Sequence, residues 1–490
     1  MDTRAHTIIE GETGFVIKAK EYLITLEGLP SARVDTVIVN QKGERALVTA
    51  LREDSVEAYL LDRGTPKAGD QFVIDTRGIQ FSFGEHLYGR ALNVLGEPID
   101  GLGGFPESTV PLRMQADAPS MNARAELSEQ LMTGMPAVDV LIPIAKGQRQ
   151  LVIGPISSGK TVFLESVLAR QRGSEVICIY AFIGRPIGYI EDVTAHLMSE
   201  HGNNKSIILA SYSNDSAPRI YLTPIVSLEL AEYFSWEGRD VLLVLDDLGT
   251  HAKYFREIAL LSGEVPGRES YPGDMFYQQA RLLERGGRFN KTVGGGSITI
   301  LPVLETNIED MTNLVSTNMV SATDGHLFFS PTLYAEGHFP ATVPQQSVTR
   351  VGHKVQNNLT KQLAIRVHAL IAEYERQKRY SQFGTQLSEQ TRGLIKQGES
   401  LQVFLDQEST AARSLEVQVI LLALVFTKLG EGTDADYVKR NREVLASAIS
   451  SDPELEPLRA SVRRGTVSLE QFLRKVESAV PRLQSLCQPH

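Results

Sequence analysis

The sequence predicts a three-part chain. An all-β region occupies residues 1–80, an α/β region with a mostly parallel sheet 81–355, and a helical region 356–490. Three observations predict it: short β-rich runs at even spacing near the N-terminus, near-continuous apolar runs separated by amphipathic stretches in the middle, and helical periodicity near the C-terminus.

In the first region the runs are GFVIKAK, DTVIVNQ, RALVTAL, EAYLLD and QFVID, separated by turn signals such as QKGE and DRGTPKAGD. This spacing predicts a small sandwich or barrel. In the middle the runs are QLVIG, EVICIYAFIG, SIILASYS, DVLLVLDDL, SITILPVLE and GHLFFS. Apolar strands alternating with helices predict a parallel sheet covered on both faces. Beyond 356, KQLAIRVHALIAEYERQ repeats Leu363, Val367, Leu370 and Tyr374 at steps of four and three. Ser468 and Gln471, three apart, predict a capped helix start.

The chain has 490 residues, 42% hydrophobic and 22% charged, which is ordinary for a globular protein of two to four domains. Its formal net charge of −10, with no Lys/Arg-rich run, gives no bulk attraction to nucleic acid. Cys178 and Cys487, far apart in sequence, predict a reducing compartment rather than a disulfide framework. The N-terminus is polar and lacks a signal-peptide core. The longest apolar run, Val419 to Phe426, falls far short of the roughly 20 residues of a membrane span. A soluble protein is therefore expected, touching a membrane only through an assembly. The ten histidines show no metal-binding spacing.

GPISSGKT fits G-x-x-x-x-G-K-[ST] between a predicted strand and a predicted helix. Gly154 and Gly159 let the backbone of Pro155, Ile156, Ser157 and Ser158 approach phosphate oxygens. Lys160 reaches the outer phosphates, and Thr161 offers a hydroxyl to Mg²⁺ at the positive end of the helix. DVLLVLDDL ends a buried strand in acids, and Asp246 is the natural second Mg²⁺ ligand, direct or through water. Hydrolysis also needs a base to deprotonate water. Such sites often place it at the tip of the strand after the P-loop helix, here YAFIGRPIG, where Arg185 stands. Arginine stays protonated and cannot be a base. Glu191 and Asp192, further on, read as an exposed helix start. The residues predict nucleotide binding with poor equipment for turnover.

Several long stretches resemble the alpha subunit of F-type ATP synthases. They are GRALNVLGEPIDGLG (89–103), TGMPAVDVLIPIAKGQRQLVIG (133–154), the stretch from LDDLGTHAKYF to RLLER (245–285), GGGSITILPVLET (294–306), SVTRVG (347–352) and RYSQFGTQL (379–387). The resemblance runs nearly the whole length, in order. The catalytic beta subunit looks like GER where this chain reads GRP.

The resemblance implies an N-terminal β-barrel, a RecA-like P-loop NTPase domain and a C-terminal helical bundle. It implies a ring of three alpha and three beta subunits around a gamma shaft, with a peripheral stalk, on the cytoplasmic face of a prokaryotic inner or plasma membrane. Ion flow through a membrane sector is coupled to ATP synthesis or hydrolysis at beta. The alpha sites hold ATP or ADP with Mg²⁺ and do not turn it over. Alpha's SVSRVG arginine, carried over to Arg350 with Ser347 in support, reaches into beta's catalytic site as an arginine finger. Gln407 matches the first of two glutamines flanking adenine. EVPGRESYPGD (264–274) matches the loop facing gamma.

The sequence departs from the family pattern at several places. Pro155, Ile156 and Ser157 stand where Asp, Arg and Gln are usual, and Arg185 stands where Gln is usual near the Mg²⁺, a nucleotide-binding position from which it is expected to restore part of the phosphate charge balance. Phe339 replaces an arginine beside the nucleotide, Ser409 replaces the second glutamine, and Thr349 replaces the second serine of SVSRVG. Only about a dozen residues precede GFVIKAK, so the family's delta-docking helix is not matched. These departures point to an alternate F-type complex, one running mainly as an ATPase pump. Two other readings compete with this one: a self-contained RecA-like hexameric motor, which needs an acid where Arg185 stands, and an interaction protein that has lost its nucleotide.

Overall fold

The computed structural model describes residues 12–106, 110–113, 116–199, 202–263, 267, 271–306, 312–381 and 388–487. The loop matched to the gamma-facing segment and the residues before Glu12 lie largely outside the described residues. The chain forms two compact units, one from residues 1–125, 172–305 and 310–322, the other from 126–171, 306–309 and 323–490. The β-rich N-terminal region falls in the first unit and the helical C-terminal region in the second. The central strands are distributed over both.

In the first unit, six antiparallel strands close into a barrel: Gly14–Lys20, Leu23–Glu27, Val37–Asn40, Arg45–Leu51, Val56–Leu60 and Gln71–Asp75. Alternation sends Val16, Ile24, Leu26, Ile38, Val48, Phe72 and Ile74 inward, each no more than 5% exposed. Five of the strands are the β-rich runs of the sequence. The sixth, Leu23–Glu27, is not among those runs. It pairs with Gly14–Lys20 on one side and Val56–Leu60 on the other, and so completes the closure.

The same unit holds a parallel sheet in the order Ser297–Glu305, Asp240–Asp246, Ile177–Arg185, Ser206–Tyr212 and Ala91–Asn93. The central strands are buried on both faces, which explains their near-continuous apolar sequence. Gly287–Arg288 adds an antiparallel pairing at Ser297–Glu305. The helix Ala217–Trp236 is almost wholly buried. Its two buried acids are paired: Arg285 donates to Glu229 at 2.8 Å and to Glu232 at 2.6 Å, and Arg113 to the same two at 3.1 and 3.2 Å. Paired in this way, the two carboxylates are not left as uncompensated buried charges.

In the second unit, Gln150–Gly154 runs parallel to Gly325–Phe328, which pairs antiparallel with Val348–Thr349. The helix Lys160–Arg170 follows the first of these strands. The C-terminal region is helical from Asn358–Ser381 to Leu469–Leu486. Leu363, Val367, Leu370 and Tyr374 of the first helix are buried and Ile365 is 70% exposed, as the period of the sequence predicts. Leu415–Leu424 is buried around nearly its whole circumference, which accounts for the longest apolar run. Ser468 caps the last helix by accepting from the Gln471 N–H. Asp139 links the strand-bearing part of this unit to the helical part. Its fully buried carboxylate accepts from the Thr133 N–H and hydroxyl, the Gly134 N–H and Gln418 Nε2, at 2.7–2.8 Å.

Among the described residues, no helix is long and apolar enough to cross a membrane.

Candidate functional site

The phosphate loop lies between the strand Gln150–Gly154 and the helix Lys160–Arg170. Two of its positions require glycine. A Cβ on Gly154 would lie 2.6 Å from the Phe329 carbonyl oxygen, and one on Gly159 would lie 2.5 Å from the Tyr334 ring. Gly159 also takes a left-handed conformation, φ 82°, to open the helix. No side chain caps this helix, and such an uncapped N-terminus suits an anion. Pro155 is half-buried, and Ile156 and Ser157 face solvent. Ser158, 1% exposed, donates to the Pro155 carbonyl at 2.7 Å and braces the turn. Lys160 folds back along the loop: its Nζ donates to the Gly154 carbonyl at 2.9 Å and to the Pro155 carbonyl. Thr161, at the second helical position, is half-buried.

Gln407 belongs to the same unit. It is 5% exposed, its N–H donates to the Phe339 carbonyl at 2.9 Å, and its Nε2 donates to the Ala411 carbonyl at 2.8 Å. Its Oε1 is buried without a partner. A buried acceptor left unpaired carries a desolvation cost that a ligand amino group would remove. Ser409 is tethered to the P-loop helix, its carbonyl accepting from the Ser166 hydroxyl at 2.9 Å.

Ser347, Thr349 and Arg350 lie on or beside the short strand Val348–Thr349. Ser347 Oγ accepts from the Phe328 N–H at 2.9 Å and donates to the Val343 carbonyl at 2.8 Å. Thr349 Oγ1 donates to the Pro143 carbonyl at 3.0 Å and accepts from Gln148 Nε2 at 3.1 Å. The Arg350 N–H donates to the Asp324 carbonyl at 2.9 Å, and its Nη1 donates to the Thr323 carbonyl at 3.0 Å. The backbone is thus fixed on both sides of Arg350, while the residue is exposed. The role of Thr349 as an anchor leaves no mark in the local sequence, because its partners are 206 and 201 residues away.

Arg185 and Asp246 belong to the other unit, at the ends of adjacent parallel strands. Gly184, φ 63°, lies at the register shift between Phe182 and Arg185. Arg185 Nε and Nη2 both donate to Asp246 Oδ1. Asp246 Oδ2 accepts from the Tyr180 hydroxyl at 3.0 Å and the Tyr189 hydroxyl at 2.9 Å. Arg185 Nη2 also lies 3.1 Å from Glu305 and 3.4 Å from Asp247, whose peptide bond with Asp246 is cis. Burial alone lowers the pKa of Arg185, but the Asp246 and Asp247 carboxylates outweigh it, so the guanidinium is held firmly charged. Burial raises the Asp247 carboxyl, partly offset by Arg185. Tyr180 is pushed well above its usual range by burial and then by Asp246, so it stays a donor. The two tyrosines give no signal in the sequence. They meet Asp246 only once the strands pair.

The residues fit Mg²⁺ in part. Thr161 stands where a P-loop hydroxyl meets the metal. Asp246, the second expected ligand, does not fit: an ionised carboxylate has about four lone-pair sites, and four donors already occupy them. Glu191 and Asp192 are exposed, as expected, but they lie in the second turn of the helix Ile187–Leu197 rather than at its start, because Pro186 opens the helix earlier. Among the described residues no group of three or more His, Cys, Asp and Glu could hold a metal ion.

Two family models match the chain. Residues 134–349 match the nucleotide-binding domain of the ATP synthase alpha/beta family, and residues 356–480 match the C-terminal domain of the ATP synthase alpha/beta chain. The chain is similar to an "ATP synthase subunit alpha" of Clostridium botulinum (strain Eklund 17B / Type B), 33% identical over 478 residues, covering 97% of this chain and 94% of the relative. It is 32% identical over 456 residues to "ATP synthase subunit alpha 1" of Mycoplasmopsis pulmonis, covering 93% and 86%. A protein of the same name from Chlorobium luteolum is 34% identical over 412 residues, covering 84% and 80%.

Proposed function

The chain belongs to the ATP synthase alpha/beta family, as an F-type alpha subunit, and from that premise we propose that it holds nucleotide without turning it over and completes the catalytic site of a neighbouring beta subunit. The complex is a rotary ATP synthase or ATPase that couples ATP chemistry to ion transport across a membrane. In it the chain alternates with beta around a gamma shaft, held by a peripheral stalk, and sits on the cytoplasmic face of a prokaryotic membrane.

One observation carries the non-catalytic reading: the strand tip where a hydrolytic site needs a carboxylate base holds Arg185, whose guanidinium is bonded to Asp246. A permanent cation cannot accept a proton from water.

ATP or ADP is bound by the loop backbone of residues 154–161, whose N–H groups, Pro155 having none, face the phosphates, and by Lys160, which exchanges its loop carbonyls for phosphate oxygens. Thr161 holds Mg²⁺, which neutralises phosphate charge when bound. The unpaired Gln407 Oε1 takes a donor from the adenine side. Arg350 extends from its pinned strand to beta's reacting phosphoryl group, with Ser347 holding the strand in place.

The test is turnover by the full-length chain alone. ATP is expected to bind and to be recovered unhydrolysed, with hydrolysis appearing only after assembly with beta. Steady turnover by the isolated chain, abolished by Lys160→Ala, refutes the reading.

A further inference from the structure

Asp246 is the last residue of a buried strand and is 1% exposed. Its two oxygens receive four donors: Nε and Nη2 of Arg185 on Oδ1, and the Tyr180 and Tyr189 hydroxyls on Oδ2. A metal ligand must offer a lone pair, and so must a carboxylate that orients a metal-bound water. Asp246 has none to spare. The Arg185 Nη2 that bonds it also faces Asp247 and Glu305. Three carboxylates therefore surround one guanidinium at the end of the sheet. Deleting this cation would leave negative charge that a hard divalent ion neutralises well.

We propose that Arg185 is a resident cation that closes Asp246 to divalent metal, so that this chain holds its nucleotide without a metal ion anchored on that carboxylate. The proposal rests on the nucleotide-holding reading above for its second half only. The closure itself is a property of the Arg185 cluster. It separates this chain from a P-loop site in which the strand-end acid fixes the metal and the metal fixes the outer phosphates. A guanidinium supplies charge in a fixed planar fork and no exchangeable coordination sites, so it holds its partners in place but cannot activate water.

The experiment uses the full-length chain, with Mn²⁺ followed by electron paramagnetic resonance and ATP binding followed by calorimetry in Mg²⁺ and in EDTA. Without nucleotide, Arg185→Gln is expected to gain a Mn²⁺ site at least about tenfold tighter than any in the wild type, and Asp246→Asn in that background to remove it. Arg185→Lys, which keeps the cation, is expected to stay closed, and a cooperative thermal melt of both variants shows that a change at Mn²⁺ is not a loss of fold. The wild-type ratio of ATP affinities in Mg²⁺ and in EDTA reports any metal held at Thr161, and Asp246→Asn alone is expected to leave that ratio unchanged. Mn²⁺ binding in the wild type that Asp246→Asn abolishes overturns the proposal. So does an ATP affinity whose Mg²⁺ dependence disappears in Asp246→Asn. A wild type that binds no ATP in either buffer refutes the nucleotide-holding reading and the second half of the proposal with it. The Mn²⁺ arm then decides the closure by itself.

Discussion

Replacing Arg350 with alanine separates its proposed reach into a partner's site from a role in this chain's own fold. The structure gives the stability cost. The Arg350 N–H bond to the Asp324 carbonyl survives, as do the Ser347 and Thr349 anchors. The Nη1 bond to the Thr323 carbonyl is lost, at an exposed residue, so the cost is expected to stay within about 1 kcal/mol. In a catalytic site the same guanidinium would face the charge spreading over a transferring phosphoryl group. An arginine in that role is worth about 10³–10⁵ in rate, or about 4–7 kcal/mol. The two magnitudes are far enough apart to decide the matter. ATP hydrolysis by the assembled complex is expected to fall by at least about 10³, while the thermal midpoint of this chain falls by no more than about 4 °C. Arg350→Lys is expected to recover a minor part, because a point charge cannot reproduce the planar fork. A fall of less than about tenfold in a variant that still assembles refutes the arginine-finger assignment.

Other outcomes follow from the same geometry. In Gly154→Ala the new Cβ meets the Phe329 carbonyl oxygen at 2.6 Å, a backbone atom. The variant is expected to lose about 1–3 kcal/mol and its ATP binding, read by thermal melting and calorimetry. Asp139→Asn turns an amide donor toward existing donors in a fully buried site, and urea unfolding is expected to show a loss of about 3–6 kcal/mol. His338 Nδ1 lies 2.7 Å from Asp406 Oδ2, and this bond raises the His338 pKa above its ordinary value near 6.5. The pair therefore stabilises fully below about pH 6.5 and loses its effect as pH rises through the raised folded value. The gap in thermal midpoint between wild type and Asp406→Asn is expected to narrow from about pH 6 to about pH 8, and a constant gap would exclude the pair as its source.

Local patterns carry most of the architecture. The runs QLVIG, SITILPVLE and DVLLVLDDL announce buried strands because a strand covered on both faces needs apolar residues at every position. Leu363 to Tyr374 and Val419 to Phe426 announce a one-sided and an enclosed helix for the corresponding reason. Two short strands leave no such mark. Leu23–Glu27 is only five residues long, and Ala91–Asn93 is specified by its neighbour Ser206–Tyr212 rather than by its own composition. At the candidate site, GPISSGKT is legible because backbone geometry dictates its glycines. The engagement of Asp246 is not. It depends on Tyr180, Tyr189 and Arg185, which lie 66, 57 and 61 residues upstream. Arg185 is visible in the sequence as the wrong residue for a base. That it takes up the strand-end acid becomes visible only in three dimensions.

The closed N-terminal barrel bears on how such a chain can be crowded. In an open sheet the outermost strands expose rows of unpaired N–H and C=O groups, which invite pairing with any copy nearby. Here Gly14–Lys20 pairs with both Leu23–Glu27 and Gln71–Asp75, and the circle has no outermost strand. Neighbouring molecules therefore find no free strand edge in this region on which to extend a sheet. Contact between copies can then be specific and reversible, and it does not extend one sheet into the next.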